Sequence, residues 1–123
     1  MFRGVCYLFG NQEMPMIHGI VTFREERNHY ICVDIDIQGN LGDSMYGIQV
    51  GPILFPPISP DTDGNISVTF CRKGEYDDLF SDSAVRLFRY HQRIPDTHTR
   101  RQNVAKGKVH QVVSGRKEYH KII

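Results

Sequence analysis

Hydrophobic and polar positions along this chain alternate with a period of two. In the run 29–37, Ile31, Val33, Ile35 and Ile37 fall on one side, and Cys32, Asp34 and Asp36 on the other. A strand turns successive side chains to opposite faces, so this is the pattern of a half-buried β-strand. Ile66, Val68 and Phe70 alternate with Ser67, Thr69 and Cys71 in the same way, as do Ile48 and Val50 with Gln49 and Gly51. Further short strands are expected over Gly4–Phe9, Ile17–Arg24, Val85–His91 and Lys108–Ser114. Turn-forming clusters separate these runs at Gly10-Asn11, 39–43, 56–64 and Ser81-Asp82-Ser83. No stretch keeps a helical period for three turns. The pattern predicts an all-β domain, an antiparallel sandwich or flattened barrel with little helix.

Composition narrows the class. The 123 residues, 40% hydrophobic and 24% charged, fit one domain spanning 1–123 and exclude a disordered chain or a disulfide-dense mini-scaffold. There is no apolar run of membrane-spanning length, and the opening Met1-Phe2-Arg3-Gly4 lacks the order of a signal peptide, so the expectation is a soluble, intracellular protein with no membrane partner. Cys6, Cys32 and Cys71 are odd in number and widely spaced, which suggests neither a disulfide framework nor a zinc knuckle; reduced thiols are expected. The net charge of +1 conceals an asymmetry. Residues 94–123 carry seven Lys/Arg and two acids, so the basic C-terminal segment is balanced by an acidic body.

The candidate chemistry is sparse. Asp61-Thr62-Asp63-Gly64-Asn65 opens like a calcium loop, but Ile66 stands at the sixth position and Arg72 at the twelfth, so a tight turn is the expectation. Asp34 and Asp36 share a strand face without a basic partner placed nearby by sequence. The six histidines, His18, His29, His91, His98, His110 and His120, include no H-x-H pair of the kind that puts two imidazoles on one strand face. Motifs of hydrolases, zinc proteases, nucleotide-binding loops and dinucleotide-binding folds are absent. The basic segment, with Arg100, Arg101, Lys106, Lys108, Arg116, Lys117 and Lys121, contains only Tyr119 as an aromatic, so it offers no stacking platform for single-stranded nucleic acid.

Five pieces of sequence, in order, resemble the copper/zinc superoxide dismutase family. Gly4-Val5-Cys6-Tyr7-Leu8-Phe9-Gly10 with His18-Gly19-Ile20-Val21-Thr22-Phe23 resembles that family's opening strands. Tyr46-Gly47-Ile48-Gln49-Val50-Gly51 resembles its copper-binding strand H-G-F-H-V-H, and Asp61-Thr62-Asp63-Gly64 its D-x-x-G hairpin. Ser83-Ala84-Val85-Arg86-Leu87-Phe88-Arg89-Tyr90-His91 and Gly107-Lys108-Val109-His110-Gln111-Val112-Val113-Ser114-Gly115 resemble its last two strands. The resemblance implies a Greek-key, dismutase-like fold. It also implies what this chain has lost. The copper-ligand positions correspond to Gln49, Gly51 and His91, of which only His91 is an imidazole; the substrate-guiding arginine corresponds to Lys108, and a disulfide cysteine to Gln111. Alternation in the two strands suggests that Gln49, Gly51, Arg89 and His91 share the outer face.

A single neutral imidazole does not hold Cu(II) against cellular ligands. The expectation is therefore a catalytically inactive dismutase-like protein, with no metal or other cofactor, that works by binding protein. The resemblance implies as partners the host copper chaperone for superoxide dismutase or a second dismutase-type subunit, and as setting the virions of large DNA viruses. Two other readings are carried forward. One is a remodelled copper or zinc site joining His91 with His18, His29, His98 or His110; the other is binding of nucleic acid or another polyanion by the basic segment 94–123, although nucleic acid is not the expected partner.

Overall fold

A computed structural model describes residues 2–91 and 101–112. The long alternating runs become strands: β1 (Phe2–Gly10), β2 (His18–Glu26), β3 (Tyr30–Gln38), β4 (Tyr46–Val50), β5 (Ile53–Leu54), β6 (Ile66–Lys73), β7 (Ala84–Tyr90), β8 (Arg101–Lys108) and β9 (His110–Gln111). Among the described residues the one helix, α1 (Tyr76–Leu79), is a single turn. All strand pairs are antiparallel, in the order β5-β4-β7-β8-β1-β2-β3-β6, with β9 also on β1. The result is an all-β, curled half-barrel sheet.

The concave face holds the core. Cys6 and Leu8 of β1, Val21 and Phe23 of β2, Ile31, Val33, Ile35 and Ile37 of β3, and Tyr46, Ile48 and Val50 of β4 are all buried. The parity expected for β3 and β4 holds residue by residue. The two ends of the strand path approach across this core, where Phe55, just beyond β5, stacks on Phe70 of β6 with ring centroids 5.2 Å apart. Tyr76 and Phe80, at either end of α1, close one end of the core against Phe23.

Three expectations are corrected by the structure. First, Cys32 and Cys71 are joined by a disulfide, leaving Cys6 as the free, buried thiol. The two cysteines are direct partners in the β3–β6 register, with Cα atoms 4.0 Å apart. Neither local spacing nor a paired motif signals this; only strand pairing does. Burial pushes the Cys6 thiol up to about 11, so it stays protonated and unreactive at neutral pH.

Second, the last strand region starts earlier than expected. Residues 101–108 form β8, an internal strand between β7 and β1, and only His110–Gln111 of the expected Lys108–Ser114 strand is described as β9. A bulge explains why alternation missed β8. Leu87 pairs with Ala105 while Phe88 pairs with Asn103, so Val104 is the extra residue and both Val104 and Ala105 are buried. Gly107 lies so close to β1 that a Cβ there would sit 2.3 Å from the Tyr7 carbonyl oxygen.

Third, β7 does not carry Phe88 and Tyr90 inward. Phe88 pairs with Gly47, whose missing Cβ would point at Phe88 and at the Tyr90 hydroxyl, 2.8 and 2.7 Å away. Both rings therefore cover the outer face over Gly47. Arg89 instead pairs with core-facing Tyr46 and donates to Gln102 Oε1 at 2.6 Å.

On the convex face, Asp34 accepts from Arg24 Nε at 2.5 Å and from Thr69 Oγ1 at 2.6 Å. Arg24 also pairs with Glu26. The basic partner that sequence did not place beside Asp34 comes diagonally from β2. The Arg24 bond, with the Thr69 bond behind it, holds the Asp34 carboxyl below its ordinary value of 3.8 despite partial desolvation. A lowered native pKa stabilises the fold above 3.8, and that contribution is lost as pH falls from there through the native value. Asp34→Asn is thus expected to lose at most about 1 kcal/mol at pH 7, as half-exposed pairs do, and to show a shallower loss of stability in acid. Urea melts at several pH values check this; an acid limb as steep as that of the parent would remove Asp34 from the account.

Candidate functional site

The positions matched to the copper site do not converge. Gln49 on β4 pairs with Arg86 on β7, and Gln49 Nε2 donates to the Gly51 carbonyl at 3.0 Å. Gly51 turns the chain at φ +57, with its N–H donating to the Ala84 carbonyl at 2.9 Å. Lys108 pairs with Ala84 and is exposed, so Gln49, Gly51 and Lys108 gather at one end of β4, β7 and β8. His91 lies just beyond the other end of β7, five residues past Arg86. At ~3.4 Å per residue that is about 17 Å along the strand. Gln111 is exposed on β9 opposite Gly4.

His91 lines a polar recess of about 610 Å³ with Asp43, Ser44, Met45, Ser59, Pro60 and Tyr90. Asp43 is the other metal-type side chain there. The other described histidines of the remodelled-site reading, His18, His29 and His110, are dispersed. The His18 ring bridges the Met16 carbonyl and Gln38, 3.2 Å from each. His29 pairs with Glu75 at the β2–β3 hairpin, and His110 is exposed on β9. His98 and His120 lie outside the described residues. Among the described residues, no three His, Cys, Asp or Glu side chains are grouped to hold a metal ion.

Asp61 is occupied in building its turn. Its Oδ1 accepts the N–H groups of Asp63 and Asn65, both at 2.9 Å, and Gly64 supplies φ +77. Its carboxylate thereby stands in for the backbone acceptors a tight turn needs.

The convex face carries a feature that sequence reasoning missed. One row across the sheet reads Phe9, Lys106, Arg86, Gln49, Leu54, from β1 through β8, β7 and β4 to β5. A groove of about 700 Å³ opens over the β1, β8 and β7 part of this row, lined by Phe9, Arg86, Lys106 and Lys108 among others, with no carboxylate in its lining. Phe9 is 67% exposed and Tyr7, two residues back on the same face of β1, 54%. Arg100, Arg116, Lys117, Tyr119 and Lys121 of the basic segment lie outside the described residues.

No protein-family model matches the chain, and no curated protein matches it. Among the described residues, no helix is long and apolar enough to cross a membrane.

Proposed function

We propose that this is a non-catalytic domain, similar to copper/zinc superoxide dismutase, that acts by binding a protein partner. The observation that carries the reading is the β4–β7 register. The positions matched to copper ligands are occupied by Gln49 and Gly51 at one end of the strand pair, and the single matching imidazole, His91, stands at the other. Redox cycling of copper needs several nitrogen donors around one point, and these positions supply one. The strand order supports the Greek-key part of the reading. β4 follows β3 in the chain but pairs with β7, while β6 takes the place beside β3, so the β3–β4 and β6–β7 connections cross from one end of the strand path to the other rather than running as simple hairpins.

The partner on this reading is the copper chaperone for superoxide dismutase, engaged as by a decoy, or a second copy of the chain, with packaging in virions as the setting the resemblance implies. Untagged protein loaded with copper and zinc and then desalted is expected to retain substoichiometric metal and to leave superoxide decay unchanged. Stoichiometric copper with dismutation that His91→Ala abolishes would overturn the non-catalytic part. Sedimentation velocity, alone and with the chaperone, is expected to show a dimer or a mixed complex. A monomer in both runs would overturn the binding part.

A further inference from the structure

We infer that the groove over β1, β8 and β7 binds single-stranded nucleic acid, its cations following the phosphates and its aromatic rim stacking bases. The inference is independent of the dismutase resemblance, since it rests on charge, register and exposure alone.

Arg86 and Lys106 are direct cross-strand partners on the outer face, and both are exposed. Like charges placed directly opposite in an antiparallel pair are destabilising, so a sheet that keeps them without a lining carboxylate holds a standing attraction for anions. Lys108 extends the charge along β8 by two residues, about 7 Å. The three cations thus form an angled track rather than a single point, which suits a chain of phosphates better than one small anion. Among the described residues, no carboxylate forms an ion pair with Arg86, Lys106 or Lys108.

The rim decides which polyanion. Phe9 pairs directly with Lys106, so an exposed ring borders the cationic track; Tyr7 presents a second exposed ring about 7 Å along β1, outside the groove proper in an adjoining recess that both rings line with Asp36. Aromatic faces beside a basic groove are what single-strand binders use, because every base has a π-face to stack while the backbone follows the charge. An acidic peptide would use the cations and leave both rings idle. Gly107 contributes by having no side chain, which lets β8 close on β1 at Tyr7 and brings rings and cations into one surface.

The test is fluorescence anisotropy of a labelled oligothymidylate titrated with the full chain. Binding is expected, with log affinity falling by about 2 per decade of salt, from three phosphate contacts at ~0.7 each. Phe9→Ala is expected to weaken binding about fivefold or more, the effect of losing one stacked base. Arg86→Glu with Lys106→Glu is expected to abolish it, while Arg27→Glu with Lys73→Glu, on exposed residues away from the groove, should leave groove affinity within about twofold once the salt dependence is matched. Since Phe9, Arg86 and Lys106 are exposed, circular dichroism should show each variant folded.

No binding at about 50 mM salt would overturn the inference. So would binding that survives Phe9→Ala and the groove charge reversal but is lost with Arg116→Ala and Lys117→Ala. Displacement of the oligonucleotide by polyglutamate as effectively as by unlabelled oligonucleotide, with no effect of Phe9→Ala, would assign the groove to acidic peptide instead.

Discussion

Replacing Cys32 and Cys71 together with alanine is expected to lower stability by about 2–4 kcal/mol. The disulfide closes a loop of sequence separation 39 and ties β6, the last strand on its side of the sheet, to β3. Opening that loop restores chain entropy to the unfolded state. β6 holds to the rest of the domain through its β3 ladder and through Ile66, Val68 and Phe70, of which only Ile66 is fully buried. Without the cross-link this edge should open first, presenting unpaired backbone groups that invite association with other chains. Urea denaturation of the parent protein with and without reductant, beside the double variant, measures the effect. The reduced parent should match the variant, and a midpoint unmoved by either change would show that the bond contributes nothing.

Phe80→Ala is expected to cost about 3–5 kcal/mol, the range for deleting a fully buried aromatic ring. Phe80 is completely shielded, sits 5.0 Å from the Phe23 ring and 6.3 Å from the Phe55 ring, and follows directly on α1. It therefore joins β2, the segment after β5 and the helical turn in one cluster, and a cavity there weakens all three. Phe80→Leu keeps most of the volume and is expected to lose about 1.5 kcal/mol or less. Thermal or urea melts compare the two; an alanine variant as stable as the leucine variant would mean that the site collapses around the lost ring.

Much of the fold was legible because strand parity is local. Ile31, Val33, Ile35 and Ile37 announce both the strand and its buried face, and the turn clusters at 39–43 and 56–64 mark where the chain reverses. Parity misled where the sheet departs from simple alternation. At β8 a bulge sets Val104 and Ala105 inward together, and on β7 Phe88 and Tyr90 lie outward to cover Gly47. Apolar character marks burial, but burial on the outer face of a sheet looks the same in sequence as burial in its core.

The site was less legible than the fold, because it depends on which strands are neighbours. The lack of a stacking ring inside the basic segment holds along the chain, but in space Lys106 and Lys108 of that segment lie beside Phe9 and Tyr7 of β1 and Arg86 of β7. The disulfide has the same origin: Cys32 and Cys71 each stand on the polar side of a strand, and only the β3–β6 register makes them partners. Likewise, spacing within β4 and within β7 set Gln49, Gly51 and His91 side by side on paper, and the pairing of Gln49 with Arg86 separates them. The sequence by itself determined an all-β chain, its turns and most of its buried positions, because alternation and turn chemistry act between near neighbours. The tertiary structure alone decided the cross-link, the dispersal of His18, His29, His91 and His110 and the cationic, aromatic groove, because each depends on strand order and register between distant segments.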